Sequence, residues 1–436
     1  MPGLNFDKAS ESLNKIPSER PGGKLVGITG LTLEVVGCKL SIGQRCSVEG
    51  SDGEKILAEV VGFRGSSTFL MPYRTLNNVA SGAAVSVIDR DTTIRVSEKM
   101  LGRTFDGLMQ PLDDLGPAEG ERVSMQHPTL NPLKRRPITE PLDVGVRAIN
   151  GLLTTGKGQR IGLFAGAGLG KSVLLGMITR YTKASIVVVG LIGERGREVR
   201  EFIEDELGPE GIKRAIVIAA PADQSPLMRI RAAETCHRIA EHFREQGEDV
   251  LLLMDSLTRY AQAKRELALS VGEPPATKGY PPSIFAALTQ LAERSGNSES
   301  NGSMTAIYTV LAEGDDQQDP IADAARAILD GHIILSRELA ESGHYPAIDV
   351  PASISRVMTR VASKQHQEVA KRVRKLLSKY DDIKDLIPLG GYAAGGDPET
   401  DEAVRRKDKM NDFLQQGVHE QVSLEDSVSG LNQVLN

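Results

Sequence analysis

A glycine-rich segment at residues 161–175, IGLFAGAGLGKSVLL, carries the residue types best suited to chemistry. An apolar run leads into alternating glycines, and Lys171 and Ser172 follow where a helical pattern begins. Glycines let backbone N–H groups turn inward and bind phosphate oxygens. The segment therefore predicts a phosphate-binding loop, with Lys171 on the β- and γ-phosphates of a nucleotide and Ser172 on Mg²⁺. The residues predicted to line it are Ala165, Gly166, Ala167, Gly168, Leu169, Gly170, Lys171, Ser172 and Val173.

The first position of this loop departs from the usual eight-residue pattern. That pattern begins with glycine, whereas this chain has Ala165. Alanine is small, so we expect the loop to tolerate it provided that its φ angle is negative.

Two carboxylates follow buried-strand patterns further along the chain. Asp255 ends the apolar run 250–254, a position at which parallel strands present ligands, and we expect it to hold the hydration shell of Mg²⁺. Glu194 follows the apolar run 186–192 and could polarise the water that attacks a γ-phosphate. Arg195 lies beside it. The predicted catalytic residues here are Lys171, Glu194, Arg195 and Asp255.

Alternating strand and helix patterns should position these groups. Strands are predicted at 161–164, 186–192, 215–218, 250–254, 304–311 and 333–335. Helices are predicted between them, at 171–182, 196–207, 226–245 and 283–294. This order indicates an α/β fold with a mostly parallel sheet covered by helices on both faces.

The flanking regions have other patterns. Residues 1–23 form a polar, Pro/Gly-terminated segment with helical spacing of its apolar residues, and either the protein itself or a partner could cover that helix. Residues 24–95 are typical of a small barrel or sandwich, with short β-rich runs predicted as strands at 25–28, 31–36, 56–63, 84–88 and 93–96. The next predicted domain, at 96–365, begins with a Gly/Pro-rich connector at 100–150 and contains the glycine-rich loop. Charged helical patterns at 366–380, 398–415 and 423–434 indicate a C-terminal helical domain at 366–436.

Composition bounds the class of protein. The 436 residues are 40% hydrophobic and 25% charged, with a net charge of −6, so no strong basic field attracts nucleic acid. Three cysteines without a CxxC pair do not make a disulfide framework. No apolar run approaches the ~20 residues of a membrane span, and the N-terminus lacks a signal peptide's apolar core. We therefore expect a cytosolic protein whose membrane contact, if any, is peripheral.

The three chemical elements, in this order, resemble the catalytic subunits of rotary ATP synthases and their relatives. Further segments resemble the ATPases of type III protein export, and within them the flagellar branch. These segments are GEPPATKGY at 272–280, GYPPS at 279–283, LAEGDDQQDP at 311–320, GHIILSR at 331–337, GHYPAID at 343–349 and SISR at 353–356. The resemblance covers the chain from about residue 25 to its end.

The resemblance implies a RecA-like P-loop NTPase core with an N-terminal β-barrel and a C-terminal helical domain, working as a homohexamer on Mg²⁺ and ATP. It implies that Arg356 is an arginine finger for the neighbouring subunit and that Tyr345 stacks on adenine, with a second wall from residues 391–395. The implied partners are a central stalk subunit, a regulator protein at the N-terminus, export gate membrane proteins, and export chaperones and substrates. The implied place is cytoplasmic, peripheral to the inner membrane at the export apparatus.

Four alternative functions remain open at this point. A virulence-type secretion ATPase shares most of these segments. A hexameric nucleic-acid translocase shares the core, but the 4% aromatic content and the absence of Trp argue against base stacking. A non-catalytic ring subunit would typically lack the carboxylate at Glu194. A true ATP synthase subunit is disfavoured by the Gln-Gln and Pro-Pro segments.

Overall fold

The computed structural model describes residues 20–76, 78–89, 92–126, 131–299, 301–311 and 319–436. Most of the predicted N-terminal segment 1–23 and residues 312–318 of the LAEGDDQQDP segment therefore lie outside the described residues. The first strand begins at Arg20, inside the segment expected to precede the barrel.

The N-terminal part is a closed barrel of six antiparallel strands in the order β1-β2-β5-β4-β3-β6. The strands are β1 (Arg20–Thr29), β2 (Thr32–Val36), β3 (Arg45–Glu49), β4 (Lys55–Arg64), β5 (Ser67–Pro72) and β6 (Ala84–Asp89). Alternate side chains point inward, so that Leu33, Val35 and Leu70 meet in a core of their own. The barrel alternative is confirmed, although the sequence patterns missed β3 and β5.

Short strands join the barrel to the core. They are β7 (Thr93–Val96), β8 (Thr104–Phe105), β9 (Glu121–Ser124), β10 (Pro141–Leu142) and β11 (Thr155–Gly156), with helix α1 (Arg147–Leu152) between the last two. We expected a strand at 93–96 and grouped it with the barrel strands. The strand exists, but it pairs with β9 in a separate ladder outside the barrel.

The core is one eight-stranded sheet with the order β18-β17-β12-β16-β15-β13-β14-β8. Its long strands are β12 (Arg160–Ala165), β13 (Ile186–Ile192), β14 (Ala215–Ala220), β15 (Asp249–Asp255), β16 (Ser303–Leu311), β17 (Gly331–Leu335) and β18 (Ile348–Ser355). Every pair is parallel except β17–β18. The predicted mostly parallel sheet is therefore confirmed.

Helices cover both faces of the sheet. Successive side chains of a strand alternate between faces, so Val188 and Leu252 join one apolar cluster while Val187 and Leu251 join the other. The helices are α2 (Lys171–Tyr181), α3 (Gly196–Glu201), α4 (Gly208–Ile212), α5 (Pro226–Glu245), α6 (Leu257–Ser270), α7 (Pro282–Glu293), α8 (Pro320–Ile328), α9 (Arg337–Glu341) and α10 (Met358–Val361). The helix predicted at 196–207 ends early, because a π-helical stretch, Phe202–Leu207, follows α3.

Three helices end the chain: α11 (Lys364–Ile383), α12 (Pro398–Leu414) and α13 (Leu424–Leu435). The side chains of Ser363, Asp397 and Ser423 cap their first turns, as the Ser/Asp positions before each helix predict. Their apolar faces extend the cluster that lies on the α2 side of the sheet. Within the residues described, no helix combines the length and the apolar character that a membrane span requires.

Candidate active site

The predicted chemical groups meet at the carboxyl edge of the central sheet. The glycine loop leaves β12, Glu194 follows β13, and Asp255 ends β15, while β16 lies between β12 and β15. Because these strands are parallel and adjacent, their carboxyl ends open on the same edge. Four consecutive strands of the sheet thus place a phosphate-binding loop beside two carboxylates.

The glycine loop has the backbone that its sequence predicts. Gly168 and Gly170 adopt left-handed φ angles of 79° and 81°, which residues with a side chain rarely adopt. Ala165 is the last residue of β12 and has no positive φ, so alanine is tolerated there as expected. Lys171 is the first residue of α2, and the Ser172 side chain lies exposed one position further.

The ammonium group of Lys171 joins the two carboxylates. Its Nζ lies 2.6 Å from Oδ1 of Asp255 and 3.2 Å from Oε1 of Glu194. The side chain of Lys171 is 12% exposed, that of Asp255 4% and that of Glu194 13%, so little water screens the attraction between their charges. One cation therefore balances two largely buried anions at the mouth of the loop.

This arrangement shifts the protonation of the cluster. Burial, and then the negative charge of Asp255, raise the pKa of Glu194 to about 7, although Lys171 opposes the rise. A hydrogen bond shared with Glu194 lowers the pKa of the Glu198 carboxyl, which lies in the first turn of α3. Burial alone would lower the pKa of Lys171, but the charges of Asp255 and Glu194 raise it. Glu194 thus titrates near neutral pH, where a general base is most useful.

One residue of the cluster was not predicted from the sequence. Thr309, on β16, donates its hydroxyl to Oδ1 of Asp255 at 2.5 Å. The sequence signal is a threonine inside the otherwise apolar run of a central strand, where a hydroxyl requires a partner.

Tyr345 lies next to the loop. A Cβ placed on Gly170 would lie 3.4 Å from the Tyr345 ring, and the ring side is open, since the residue is 44% exposed. The backbone of Gln416 donates to the Tyr345 carbonyl at 3.0 Å. Gln416, two residues after the end of α12, therefore lies beside the backbone of this tyrosine.

The turn at 391–395, predicted to form a second wall of the adenine pocket, makes hydrogen bonds to α12. Tyr392 donates its hydroxyl to Asp401 at 2.6 Å, and Gly395 donates its N–H to the same carboxylate at 2.9 Å. Tyr392 also lines a small cavity with Ile383 and Leu386. In the described parts of the chain, no hydrogen bond joins 391–395 to Tyr345. The turn is held to α12 because the Asp401 carboxylate collects its donors.

The structure does not bring the two predicted arginines to the cluster. The Arg195 side chain is 85% exposed and lies 3.7 Å from Glu198. Arg356 is exposed, and its guanidinium donates to the carbonyls of Leu329 at 3.2 Å and Arg326 at 3.1 Å. Val173, predicted to line the loop, packs partly buried on the α2-side core. Lys171, Glu194 and Asp255 thus converge, and neither Arg195 nor Arg356 joins them.

Two protein-family models match this chain. Residues 145–355 match the ATP synthase alpha/beta family, nucleotide-binding domain, and residues 362–433 match the T3SS EscN ATPase C-terminal domain. A flagellum-specific ATP synthase of Pseudomonas aeruginosa is 58% identical over 418 residues, which are 95% of this chain and 93% of the relative. The chain belongs to the type III export ATPases of the ATP synthase alpha/beta family. It is an ATPase, and the resemblance stated from its motifs is confirmed.

Solved structures of this ATPase family agree with the fold. The assembled ATPase EscN from the type III secretion system of enteropathogenic E. coli superposes with a TM-score of 0.90 at 42% identity, over 95% of this chain and all of EscN (100%). EscN in complex with its central stalk EscO gives a TM-score of 0.87 at 41% identity, over 95% and 100% of the two chains. The predicted order of barrel, nucleotide-binding core and C-terminal helices is confirmed.

The site of this ATPase also suits Mg²⁺ held together with a nucleotide. Mg²⁺ prefers oxygen ligands and usually keeps several waters, binding through one or two protein groups and substrate phosphates. The exposed Ser172 hydroxyl and the Asp255 carboxylate offer two such oxygens. No cluster of three or more His, Cys, Asp or Glu side chains fit for a metal occurs among the described residues. An all-protein metal cage is therefore absent from this part of the chain.

Proposed function

We propose that this chain hydrolyses Mg·ATP as one subunit of a homohexameric ring and that hydrolysis energises or primes type III export of flagellar proteins. Unloading of chaperone–substrate complexes is part of that activity. The observation that carries the proposal is the Lys171 ammonium, held between Asp255 and Glu194 at the mouth of a glycine loop. The positive charge of Lys171 thus lies where the phosphate oxygens of a nucleotide would bind.

ATP binding, in this account, exchanges the partners of Lys171. The backbone N–H groups of the loop and of the first turn of α2 donate hydrogen bonds to the phosphates, and the lysine turns toward the phosphates. The carboxylate of Asp255 and the Ser172 hydroxyl hold Mg²⁺, which neutralises charge on the phosphates when it is bound. Glu194 is freed from its ion pair and can accept a proton from the attacking water.

The adenine end of ATP fits beside Tyr345. Its half-exposed ring lies next to Gly170, so it can stack on a base whose phosphates occupy the loop. Because Gln416 donates its backbone N–H to the Tyr345 carbonyl, we propose that Gln416 contributes to the second wall together with the turn at 391–395 that the sequence predicts.

Two arginines complete the proposed machinery. Arg356 makes its hydrogen bonds to backbone carbonyls and has an exposed face, which supports a role at the site of the adjacent subunit. Arg195 is anchored loosely near Glu198 and has the length to neutralise phosphoryl charge once a nucleotide is bound.

The larger assembly is proposed from the same family. EscN has been solved in an assembled form and in complex with its central stalk EscO, which supports a ring and a stalk partner here. We propose four working parts, at residues 1–23, 24–95, 96–365 and 366–436, with a regulator protein bound at the first. Export gate membrane proteins, chaperones and export substrates complete the partners, at the cytoplasmic face of the inner membrane.

The flagellar assignment is favoured over a virulence-type system by relative similarity. Identity is 58% to the flagellum-specific protein of P. aeruginosa and 42% to EscN. A nucleic-acid translocase is disfavoured by the net charge of −6 and by the absence of Trp.

The experiment that tests this proposal measures phosphate release against protein concentration, with and without RNA or DNA. Because the proposed site is completed between subunits, turnover per subunit should rise steeply with concentration as rings form. Nucleic acid should leave the rate unchanged. Concentration-independent turnover would argue against a ring enzyme, and strong stimulation by RNA or DNA would favour the translocase.

A further inference from the structure

Thr309 occupies a distinctive place in the central sheet. It lies on β16, between the strand that leads into the glycine loop and the strand that ends at Asp255. In the sheet register it is paired with Leu163 of β12, and its neighbour Tyr308 is paired with Met254 of β15. The Thr309 side chain is fully buried, with 0% exposure.

The Thr309 hydroxyl can donate one hydrogen bond, and it donates that bond to Asp255. Its Oγ1 lies 2.5 Å from Oδ1 of Asp255, against 3.5 Å from the carbonyl oxygen of Met254. The shorter contact also ends on a charged acceptor, where hydrogen bonds are stronger. The carboxylate is therefore the preferred partner.

Oδ1 of Asp255 accepts two donors in this structure. One is Thr309, and the other is the Lys171 ammonium at 2.6 Å. Among the described residues, Oδ2 accepts no hydrogen bond, so the carboxylate has one occupied and one available oxygen.

The two donors differ in how firmly they are held. Lys171 is a flexible side chain that, under the function proposed above, turns to the phosphates when ATP binds. Thr309 lies on a strand paired on both sides and does not have that freedom. Once the lysine has left, the threonine is the donor that still fixes Oδ1.

We propose that Thr309 is a positioning residue that keeps the Asp255 carboxylate oriented toward Mg²⁺ in the nucleotide-bound enzyme. The inference rests on the proposed Mg·ATP site. In the nucleotide-free enzyme both Lys171 and Thr309 donate to Oδ1 of Asp255, whereas in the nucleotide-bound enzyme Thr309 is left as its donor. Removing the hydroxyl should therefore weaken the magnesium-dependent part of nucleotide binding.

The test compares Thr309→Val with the wild type in titrations of a fluorescent, non-hydrolysable ATP analogue. Each titration is done in excess EDTA and in saturating Mg²⁺, and the ratio of the two affinities gives the magnesium-dependent increment. Since a hydrogen bond to a charged group typically carries about a tenfold effect or more, the variant should lose roughly tenfold of that increment. Its affinity in EDTA should stay near the wild-type value, its thermal midpoint should fall because a buried hydrogen bond is lost, and Thr309→Ser should restore the increment.

A matched control lies on the same strand. Thr305 is equally buried and accepts a hydrogen bond from the backbone N–H of Gly158, away from the carboxylates. Thr305→Val also removes a buried threonine hydroxyl, so it should lower the thermal midpoint, but the magnesium-dependent increment in affinity should stay at the wild-type value.

Three results would overturn the inference. The first is a wild-type increment in Thr309→Val. The second is an equal loss of affinity in EDTA and in Mg²⁺, which marks a structural role. The third is a wild type with no magnesium-dependent binding, which would remove the proposed function as well. The first two leave the proposed function intact, so the two failures can be told apart.

Discussion

Replacing Glu194 with glutamine should make the empty protein more stable and the enzyme nearly inactive. The folded protein raises the pKa of Glu194 from 4.5 to about 7, so the native state binds more protons than the unfolded chain between these values. Stability therefore falls as pH rises through that window and stays reduced above it. At about 1.36 kcal/mol per unit, the full shift amounts to about 3 kcal/mol.

The expected gain in stability is smaller than this upper limit. Glutamine cannot ionise, so the variant does not carry the penalty, but it also loses the contact at 3.2 Å with Lys171. We expect Glu194→Gln to be more stable than the wild type by about 1–3 kcal/mol near pH 8 and by little near pH 5. Loss of a general base typically lowers turnover by about 10²–10⁴, with ATP still bound.

The assay is urea denaturation of the nucleotide-free proteins at both pH values, followed by phosphate release and nucleotide titration on the same samples. Glu198→Gln is the control, because its carboxyl has a lowered pKa and lies more exposed, so glutamine there should not stabilise the protein. Full turnover in Glu194→Gln would remove this residue from the mechanism. A stability difference that is equal at the two pH values would refute the electrostatic reasoning.

Two further predictions follow from the same cluster. Lys171→Ala removes the cation that the phosphates require, so tight Mg·ATP binding should be lost in a fluorescent nucleotide titration; unchanged affinity would place the nucleotide elsewhere. The kcat/KM for Mg·ATP should fall as pH drops below about 7, since kcat/KM reports the free enzyme and a protonated Glu194 cannot accept a proton. A profile that stays flat between pH 6 and 8 would mean that another group acts as the base.

The sequence patterns predicted the core of the fold better than its edges. The buried strand Ile186–Ile192 is an unbroken apolar run, and its strand was predicted over the full length. The barrel strand Arg45–Glu49 has charged residues at both ends and little alternation, so nothing in its composition separated it from a loop. The Thr93–Val96 strand looked like a barrel strand because pairing partners are not encoded in local periodicity.

The sequence predicted those site residues that are placed by elements next to them in the chain. Asp255 is the last residue of its strand and Lys171 is the first residue of α2, and the sequence around each predicts the element that places it. The neighbourhood of Tyr345 is different, because Gln416 reaches it from another part of the chain through a backbone hydrogen bond that its side-chain type does not specify. The turn at 391–395, expected there from the family resemblance, is held by Asp401, which accepts a hydrogen bond from the Tyr392 hydroxyl.

The central claim is that the active site is completed between subunits by Arg356. Arg356→Ala should bind ATP nearly normally and hydrolyse it slowly, since arginine fingers typically contribute about 10³–10⁵ in rate. Arg360→Ala removes the same charge from an exposed position four residues away and is the control, with wild-type turnover expected.

The most direct measurement mixes Arg356→Ala subunits with Glu194→Gln subunits and follows phosphate release, with co-purification of two tags showing that mixed rings form. In an equal mixture, about a quarter of the interfaces should combine an intact Glu194 with an intact Arg356 from the next subunit, because ring contacts are head-to-tail. The account predicts that activity returns well above that of either variant alone. Mixed rings whose activity only equals the sum of the two separate variants would contradict it.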